Sequence, residues 1–155
     1  MTFDNLADQA AAEGLQIKEK PLRSSDGRIF GNNIALRRGL RTSAQRACVL
    51  AEELGHYYTT VGNILDQRDT EARKQERRAR AWGYEKMIGL RGIIDCYVSG
   101  CRSRAEMADH LGVTEEYLQE AIEFYREKYG EYAALDNYVI CFEPHLGVVE
   151  LREEI

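Results

Sequence analysis

The stretch EELGH, residues 52–56, contains the acidic and imidazole side chains that a metal-dependent hydrolase needs. It differs by one residue from His-Glu-x-x-His, in which two histidines bind zinc and the glutamate acts as general base. Glu53 and His56 occupy the positions of that glutamate and of the second histidine, whereas Glu52 stands at the first histidine. The stretch allows two interpretations: a metal site with a carboxylate at one corner, or an ordinary helix whose acidic run ends at a histidine.

The spacing of these residues suits a shared ligand. Residues four apart on an α-helix lie on the same side, so Glu52 and His56 can bind one ion, and Glu53 can reach a water molecule beside it. A third ligand must come from elsewhere. Glu76, 20 residues after His56, falls on the inward face of the next predicted helix, where an unpaired carboxylate would be costly. If the two helices pack antiparallel, Glu76 faces the pair.

These residue types predict the hydrolysis of a peptide bond. A metal ion held by Glu52, His56 and Glu76 would polarise a carbonyl and acidify a water molecule. Glu53 would take the proton from that water and deliver it to the leaving amine. Two carboxylate ligands would make the ion, zinc in the first instance, a weaker Lewis acid and would shift the preference toward manganese. The alternative needs no metal: Glu52 is solvated, and His56 forms an ion pair with Glu76.

Helices and short strands must position these side chains. Residues 3–13 favour a helix that ends at Gly14, and the alternating segment 15–20 favours a strand. RIFG and NIALRRG predict a hairpin that turns at residues 31–33. Thr42 and Gln45 have the spacing of a capping box and begin the motif helix, which Gly62-Asn63 ends. The apolar face of this helix is expected at Ala47, Leu50, Ala51, Leu54, Tyr58 and Val61.

Helical patterns fill most of the remaining sequence. A helix capped by Asp69 or Thr70 is expected to run to about Leu90, with Ala72, Ala79, Gly83 and Met87 on its inward face. Further helices are predicted at 90–99, from Ser103 to about 111, and from Thr114 to about 129, followed by two strands around Pro144-His145. The fold class is therefore α+β: a small N-terminal antiparallel sheet on a helical core, then C-terminal helices and a terminal β-hairpin. We expect one domain over 1–155, with its core at 1–90 and an extension at 91–155.

Composition narrows the class of protein. The chain has 155 residues, of which 44% are hydrophobic and 30% charged, as in soluble globular proteins. No apolar run reaches the length of a membrane span, and the first residues lack the features of a signal peptide, so a cytoplasmic location without membrane partners is expected. The net charge of −5 argues against direct nucleic-acid binding. Four scattered cysteines, without a CxxC pair, are expected to be reduced and structural.

Other polar groups have less specific patterns. The basic cluster of Arg73, Lys74, Arg77, Arg78 and Arg80 is a solvated helix face or a docking surface for an acidic protein. The segment AEMADHLGVTEEYLQEAI has the rhythm of a helix-turn-helix, but its second helix carries glutamates that would repel phosphates, which favours a packing role. Tyr57 and Tyr58 could donate to an oxyanion, although packing is the commoner role. His110 and His145 lie far from the motif in sequence.

The segments VLAEELGHYYTT and RKQERRARAW resemble the ImmA/IrrE family of metallopeptidases, particularly members from phages and mobile elements of Gram-positive bacteria. The resemblance covers residues 15 to about 90, and the segments HLGVTEEYLQEAIEFYREKYG and YVICFEP also look like those relatives. It implies a zincin-like core in which His56 and Glu76 are metal ligands and Glu53 is the general base. Glu52 departs from the family's His-Glu-x-x-His. The family cleaves helix-turn-helix repressors, so such a repressor is the expected protein partner.

Two hypotheses follow. The first is a metal-dependent endopeptidase, which the presence of both Glu53 and Glu76 favours. The second is a catalytically inactive relative that binds a repressor or another protein, which the replacement of the first histidine by Glu52 favours.

Overall fold

The structure, a computed structural model, describes residues 1–60 and 69–152. It confirms the α+β class and divides the chain into two compact units, Met1–Met87 and Ile88–Ile155. The elements of the first unit are α1 (Phe3–Ala12), β1 (Gln16–Lys20), β2 (Gly27–Phe30), β3 (Asn33–Arg37), α2 (Ser43–Thr59) and α3 (Asp69–Met87). Those of the second unit are α4 (Gly89–Val98), α5 (Arg104–Leu111), α6 (Glu115–Tyr129), β4 (Tyr132–Leu135), β5 (Tyr138–Cys141) and β6 (Gly147–Glu150).

The sheet of the first unit is mixed, which corrects the prediction of an antiparallel sheet. Its order is β1-β3-β2, with β2 and β3 antiparallel and β1 and β3 parallel. The predicted hairpin is present, and Gly31, with φ +59°, supplies the positive angle that its two-residue turn needs. Strand β3 lies in the centre of the sheet. It is antiparallel to its hairpin partner β2 on one side and parallel to β1 on the other. Ile34 and Leu36 of β3 are fully buried.

Helix α2 begins and packs as its sequence predicts. The side chain of Thr42 accepts a hydrogen bond from the backbone N–H of Gln45, and the Gln45 side chain completes the capping box. The predicted apolar positions from Ala47 to Leu54 are buried, but Tyr58 is 36% exposed. The expected position Val61 and the expected stop at Gly62-Asn63 lie outside the described residues.

Helix α3 ends earlier than predicted. It stops at Met87 rather than near Leu90, because Ile88 has a non-helical conformation and Gly89 has φ +63°. Three residues of its predicted inward face, Ala79, Gly83 and Met87, are buried, and Ala72 is half-buried. The expected cap was Asp69 or Thr70; the side chains of these two residues lie outside the described part of the chain.

The second unit contains the predicted helices and one strand more than predicted. Ser103 and Thr114 cap α5 and α6 through their side chains, as expected. The predicted hairpin, β5 and β6, is part of a three-stranded antiparallel sheet in the order β4-β5-β6. Strand β4, YAAL, was missed because it contains two alanines and no β-branched residue. Tyr125, Ile140 and Phe142 form part of the buried core of this unit.

A membrane-spanning segment was not expected, and none is found among the described helices, which are too short or too polar to cross a bilayer.

Helices α2 and α3 lie very close together where Gly55 faces Ala79. A methyl group added to Gly55 would overlap the backbone carbonyl of Ala79, and no flexible side chain is involved that could move aside. Both residues are buried. The missing side chain of Gly55 therefore sets the distance between these helices.

Substituting Gly55 with alanine should push the two helices apart. We expect the free energy of unfolding to fall by about 1–3 kcal/mol, as for other overpacked cores. Chemical denaturation measures this loss. Gly147→Ala is the control, because a methyl group there meets no atom within 4 Å. Equal stability of the two variants would contradict the close packing at Gly55.

Candidate metal centre

Side chains from α2 and α3 form a cluster of potential metal ligands. His56 Nε2 lies 3.0 Å from Glu76 Oε2. One ligand atom from each of Glu52, His56 and Glu76 lies within 4.8 Å of the others. Among residues 1–60 and 69–152, this is the one group of at least three histidine, cysteine or acidic side chains close enough to share a metal ion. The structure thus brings together the three ligands suggested by the sequence.

The cluster forms because the two helices run in opposite directions. His56 contacts Glu76, while Glu52, one turn earlier on α2, contacts Arg80, one turn later on α3, at 3.8 Å. Such paired steps of four residues require antiparallel helices. The close packing at Gly55 allows side chains of ordinary length to meet between them.

Glu53 differs from the other acidic residues in its burial. It is 8% exposed, whereas the side chains of Glu52 and Glu76 are 39% and 49% exposed. Burial, followed by the negative charges of Glu52 and Glu76, raises the pKa of Glu53 to about 7. A carboxyl group of this kind can exchange a proton near neutral pH, as a general base requires.

Strand β2 makes room for Glu53 through Gly27. A Cβ atom at Gly27 would lie 3.0 Å from Glu53 Cγ and 2.6 Å from Val49 Cγ1. Such distances are shorter than ordinary van der Waals contacts, so a larger residue would displace Glu53 or Val49. Gly27 therefore lets the edge strand pass close to the carboxylate.

The cluster fits a divalent cation by its chemistry. One imidazole and two carboxylates are ligands that both zinc and manganese accept. Three negative side chains, Glu52, Glu53 and Glu76, lie close to one another, which favours a cation among them. The contact of His56 with Glu76 is also the ion pair that the metal-free alternative predicts. Glu52 contacts Arg80 and is not simply solvated.

The remaining candidates from the sequence have other environments. The ring of Tyr58 stacks on Trp82 with 4.9 Å between centroids, and its hydroxyl accepts a hydrogen bond from Gln9, which gives it a packing role. Tyr57 meets the edge of the Tyr58 ring. His110 and His145 are exposed residues of the second unit. The basic cluster is exposed along α3: Arg73, Lys74, Arg77, Arg78 and Arg80.

Three contributors to the site were not identified as such from the sequence. Arg80 was assigned only to the basic cluster, although its position four residues after Glu76 places it on the same side of α3. Gly55 and Gly27 contribute by lacking side chains, and no local pattern reveals which atoms a glycine will face.

Comparison with protein families gives one result. The family model described as the IrrE N-terminal-like domain of the M78 peptidases matches residues 10–123. The match includes Glu52, Glu53, His56 and Glu76, and it extends into the second unit as far as α6. Comparisons with curated proteins and with solved structures give no match.

The buried carboxylate should make the metal-free protein less stable at alkaline pH. The pKa of Glu53 is about 7 in the folded chain and 4.5 as its ordinary value, so the folded state binds more protons between these limits. The free energy of unfolding should therefore fall as the pH rises from about 4.5 to 7. At pH 8, Glu53→Gln should raise the free energy of unfolding by about 2 kcal/mol, because glutamine carries no charge to bury. Near pH 4 the substitution should have little effect, because Glu53 is then protonated.

Denaturation in the presence of a chelator, at several pH values, tests this expectation. Glu85→Gln, an exposed substitution on α3, is the control and should leave the profile unchanged. If Glu53→Gln has the same profile as the control, Glu53 is not held in an unfavourable charged state.

Proposed function

The chain belongs to the M78 peptidase family, and from this premise we propose that it is a metal-dependent endopeptidase that cleaves a helix-turn-helix repressor of a phage or other mobile element. The observation that carries the proposal is the grouping of Glu52, His56 and Glu76 beside the buried carboxylate of Glu53. Family membership supports a metallopeptidase. Such an enzyme needs a bound metal and a general base. The ligand cluster would supply the first and the adjacent buried carboxylate the second.

In the proposed mechanism, His56, Glu76 and Glu52 hold the metal ion. When bound, a divalent ion supplies Lewis-acid polarisation of the scissile carbonyl and lowers the pKa of water. Glu53 removes a proton from the attacking water and returns it to the leaving amine. Its burial among the other carboxylates keeps its proton affinity high enough for both transfers.

Strand β2 supports an extended peptide as the substrate. It is an edge strand, because the sheet order is β1-β3-β2. Its backbone at Gly27 lies against Glu53. A peptide that adds to this edge by backbone hydrogen bonds would pass the carboxylate while exposing its own scissile bond. This mode of binding needs an unfolded stretch in the substrate, such as a linker of a repressor.

The ligand set bears on the identity of the metal. We propose zinc, with manganese as the second possibility, because two of the three ligands supply oxygen. Two carboxylates neutralise a divalent ion, so the ion polarises a carbonyl less strongly than it would beside two histidines. Turnover is therefore expected to be slower than with an intact His-Glu-x-x-His motif.

A second function is favoured by one specific observation. Glu52 stands where the motif has a neutral ligand, and it lies 3.8 Å from Arg80, a cationic neighbour that needs no metal. In this alternative the chain is a catalytically inactive member of the family that regulates by binding a repressor or another protein. Metal content and turnover distinguish the two functions.

Variants of the cluster should separate metal binding from catalysis. His56→Ala and Glu76→Ala should both lower the metal content, because each removes a ligand. Glu53→Gln should retain the metal and abolish turnover, because it removes only the proton acceptor. Elemental mass spectrometry of protein purified without chelators, together with cleavage of a panel of helix-turn-helix repressors, measures both properties. Equal loss of metal in all three variants would overturn these roles.

Restoring the histidine of the motif should strengthen the site. Glu52→His replaces an oxygen ligand with an imidazole, so zinc should bind roughly tenfold more tightly, a difference of about 1.4 kcal/mol, and the preference for zinc over manganese should increase. Competition with a chromophoric chelator measures both affinities. Glu85→His, exposed on the same helix as Glu76, is the control for an added surface imidazole. An unchanged zinc affinity would show that position 52 does not contact the metal.

A further inference from the structure

Three helices of this chain end in the same hydrogen-bonded motif. In each, a glycine with positive φ follows the helix: Gly14 at +80°, Gly100 at +82° and Gly112 at +72°. The residue after the glycine donates a backbone hydrogen bond to the carbonyl five residues earlier, which is the Schellman arrangement. The pairs joined in this way are Leu15 with Ala10, Cys101 with Cys96, and Val113 with Ala108.

The motif places the two side chains of each pair against each other, normally as an apolar contact. The first and third pairs follow this rule, since Ala10, Leu15, Ala108 and Val113 are all buried apolar residues. The second pair replaces the apolar contact with two thiols.

The backbone geometry of the second pair suits a disulfide. The N–H of Cys101 lies 3.0 Å from the carbonyl oxygen of Cys96. Standard bond lengths then limit the Cα–Cα separation to about 7 Å at most, and bending at the hydrogen bond shortens it. Disulfides join residues whose Cα atoms are about 4.4–6.8 Å apart. The two cysteines therefore lie at about the separation that a disulfide spans.

The two thiols differ in access. Cys96 is 1% exposed, and its thiol donates to the carbonyl oxygen of Met107 at 3.9 Å. Burial, followed by the charge and the hydrogen bond of Cys101, raises the pKa of Cys96 to about 12, so Cys96 is not the first nucleophile. Cys101 is half-buried. A reagent from solvent therefore meets Cys101 much more readily than Cys96.

A cavity of about 400 Å³ leads to this pair. Both cysteines line it, together with the cationic side chains of Arg102 and Arg104 and the imidazole of His145. This volume accommodates a small molecule. The two guanidinium groups favour a molecule that carries carboxylates.

We propose that Cys96 and Cys101 form a reactive dithiol that small anionic disulfides, such as oxidised glutathione, convert to an intramolecular disulfide. The Cys101 thiolate attacks one sulfur of the reagent, which forms a mixed disulfide and releases one thiolate. In the mixed disulfide the charge of Cys101 no longer opposes ionisation of Cys96. The Cys96 thiol gives up its proton as its sulfur attacks the Cys101 sulfur, which forms the internal disulfide and expels the second thiolate. The thiol protons of the two cysteines pass to the two released thiolates, and the protein loses two electrons to the reagent. Excess dithiol reductant reverses the reaction.

The sequence allows a direct test, because trypsin cleaves after Arg91 and Arg102 and leaves both cysteines in one peptide, residues 92–102. The full-length protein is treated with oxidised glutathione, blocked with N-ethylmaleimide and digested without reductant. Mass spectrometry should show this peptide lighter by two hydrogen atoms and without the blocking group. Dithiothreitol should restore its mass. Cys141, another half-buried thiol on a separate peptide, is the internal reference for simple exposure.

Two variants assign the order of attack. Cys96→Ser should accumulate glutathione on Cys101, because the second thiol is missing. Cys101→Ser should leave Cys96 unmodified while Cys141 reacts. The proposal is overturned if the wild-type peptide carries glutathione on Cys101 or remains fully reduced when Cys141 has already reacted. The assignment of Cys101 as the attacking thiol would be overturned if, in Cys101→Ser, Cys96 took up glutathione as fast as the wild-type pair forms its disulfide.

Discussion

The close contact of α2 with α3 at Gly55 is the constraint on which the candidate centre depends. With no side chain between the Gly55 backbone and Ala79, the helices lie close enough for His56 to reach Glu76 and for Glu52 to reach Arg80. A methyl group at position 55 changes the separation of two rigid helices, and every distance across the interface changes with it. The smallest residue in the motif thus controls the positions of the charged ones.

Acidic side chains are crowded at this interface. The charges of Glu52 and Glu76 help to raise the pKa of the buried Glu53, and Arg80, which lies near Glu52, is more than half exposed. An exposed guanidinium at 3.8 Å contributes little, because solvent screens the interaction. The protonation of Glu53 is one way to relieve the repulsion, and a bound cation is another. The same repulsion that raises the pKa of Glu53 would therefore favour a bound cation.

Sequence patterns predicted most local features of the fold and part of the centre. Caps at Thr42, Ser103 and Thr114 were identified because capping depends on residues within one turn of each other. The pairing of Glu52 with His56 followed from helical spacing. Glu76 was found because it was predicted on the inward face of its helix, where a carboxylate requires a partner; its side chain is in fact 49% exposed, although it does meet His56. The parallel pairing of β1 with β3 was missed, because strand direction depends on the order in which distant segments pair. The contributions of Gly27 and Gly55 were missed for the same reason, since they depend on atoms that are remote in the chain.

The replacement of histidine by Glu52 affects both metal binding and catalysis. A second carboxylate strengthens the electrostatic attraction of a divalent ion, which offsets part of the loss of a nitrogen ligand. The same charge lowers the power of that ion to polarise a carbonyl. The carboxylate also gives Arg80 a partner, so a cation that binds to Glu52 must compete with a guanidinium already close to it. A centre of this composition is expected to hold its ion less firmly, and so to fill at higher metal concentrations, than one with two histidines. Metal availability would then set how much of the protein carries an ion.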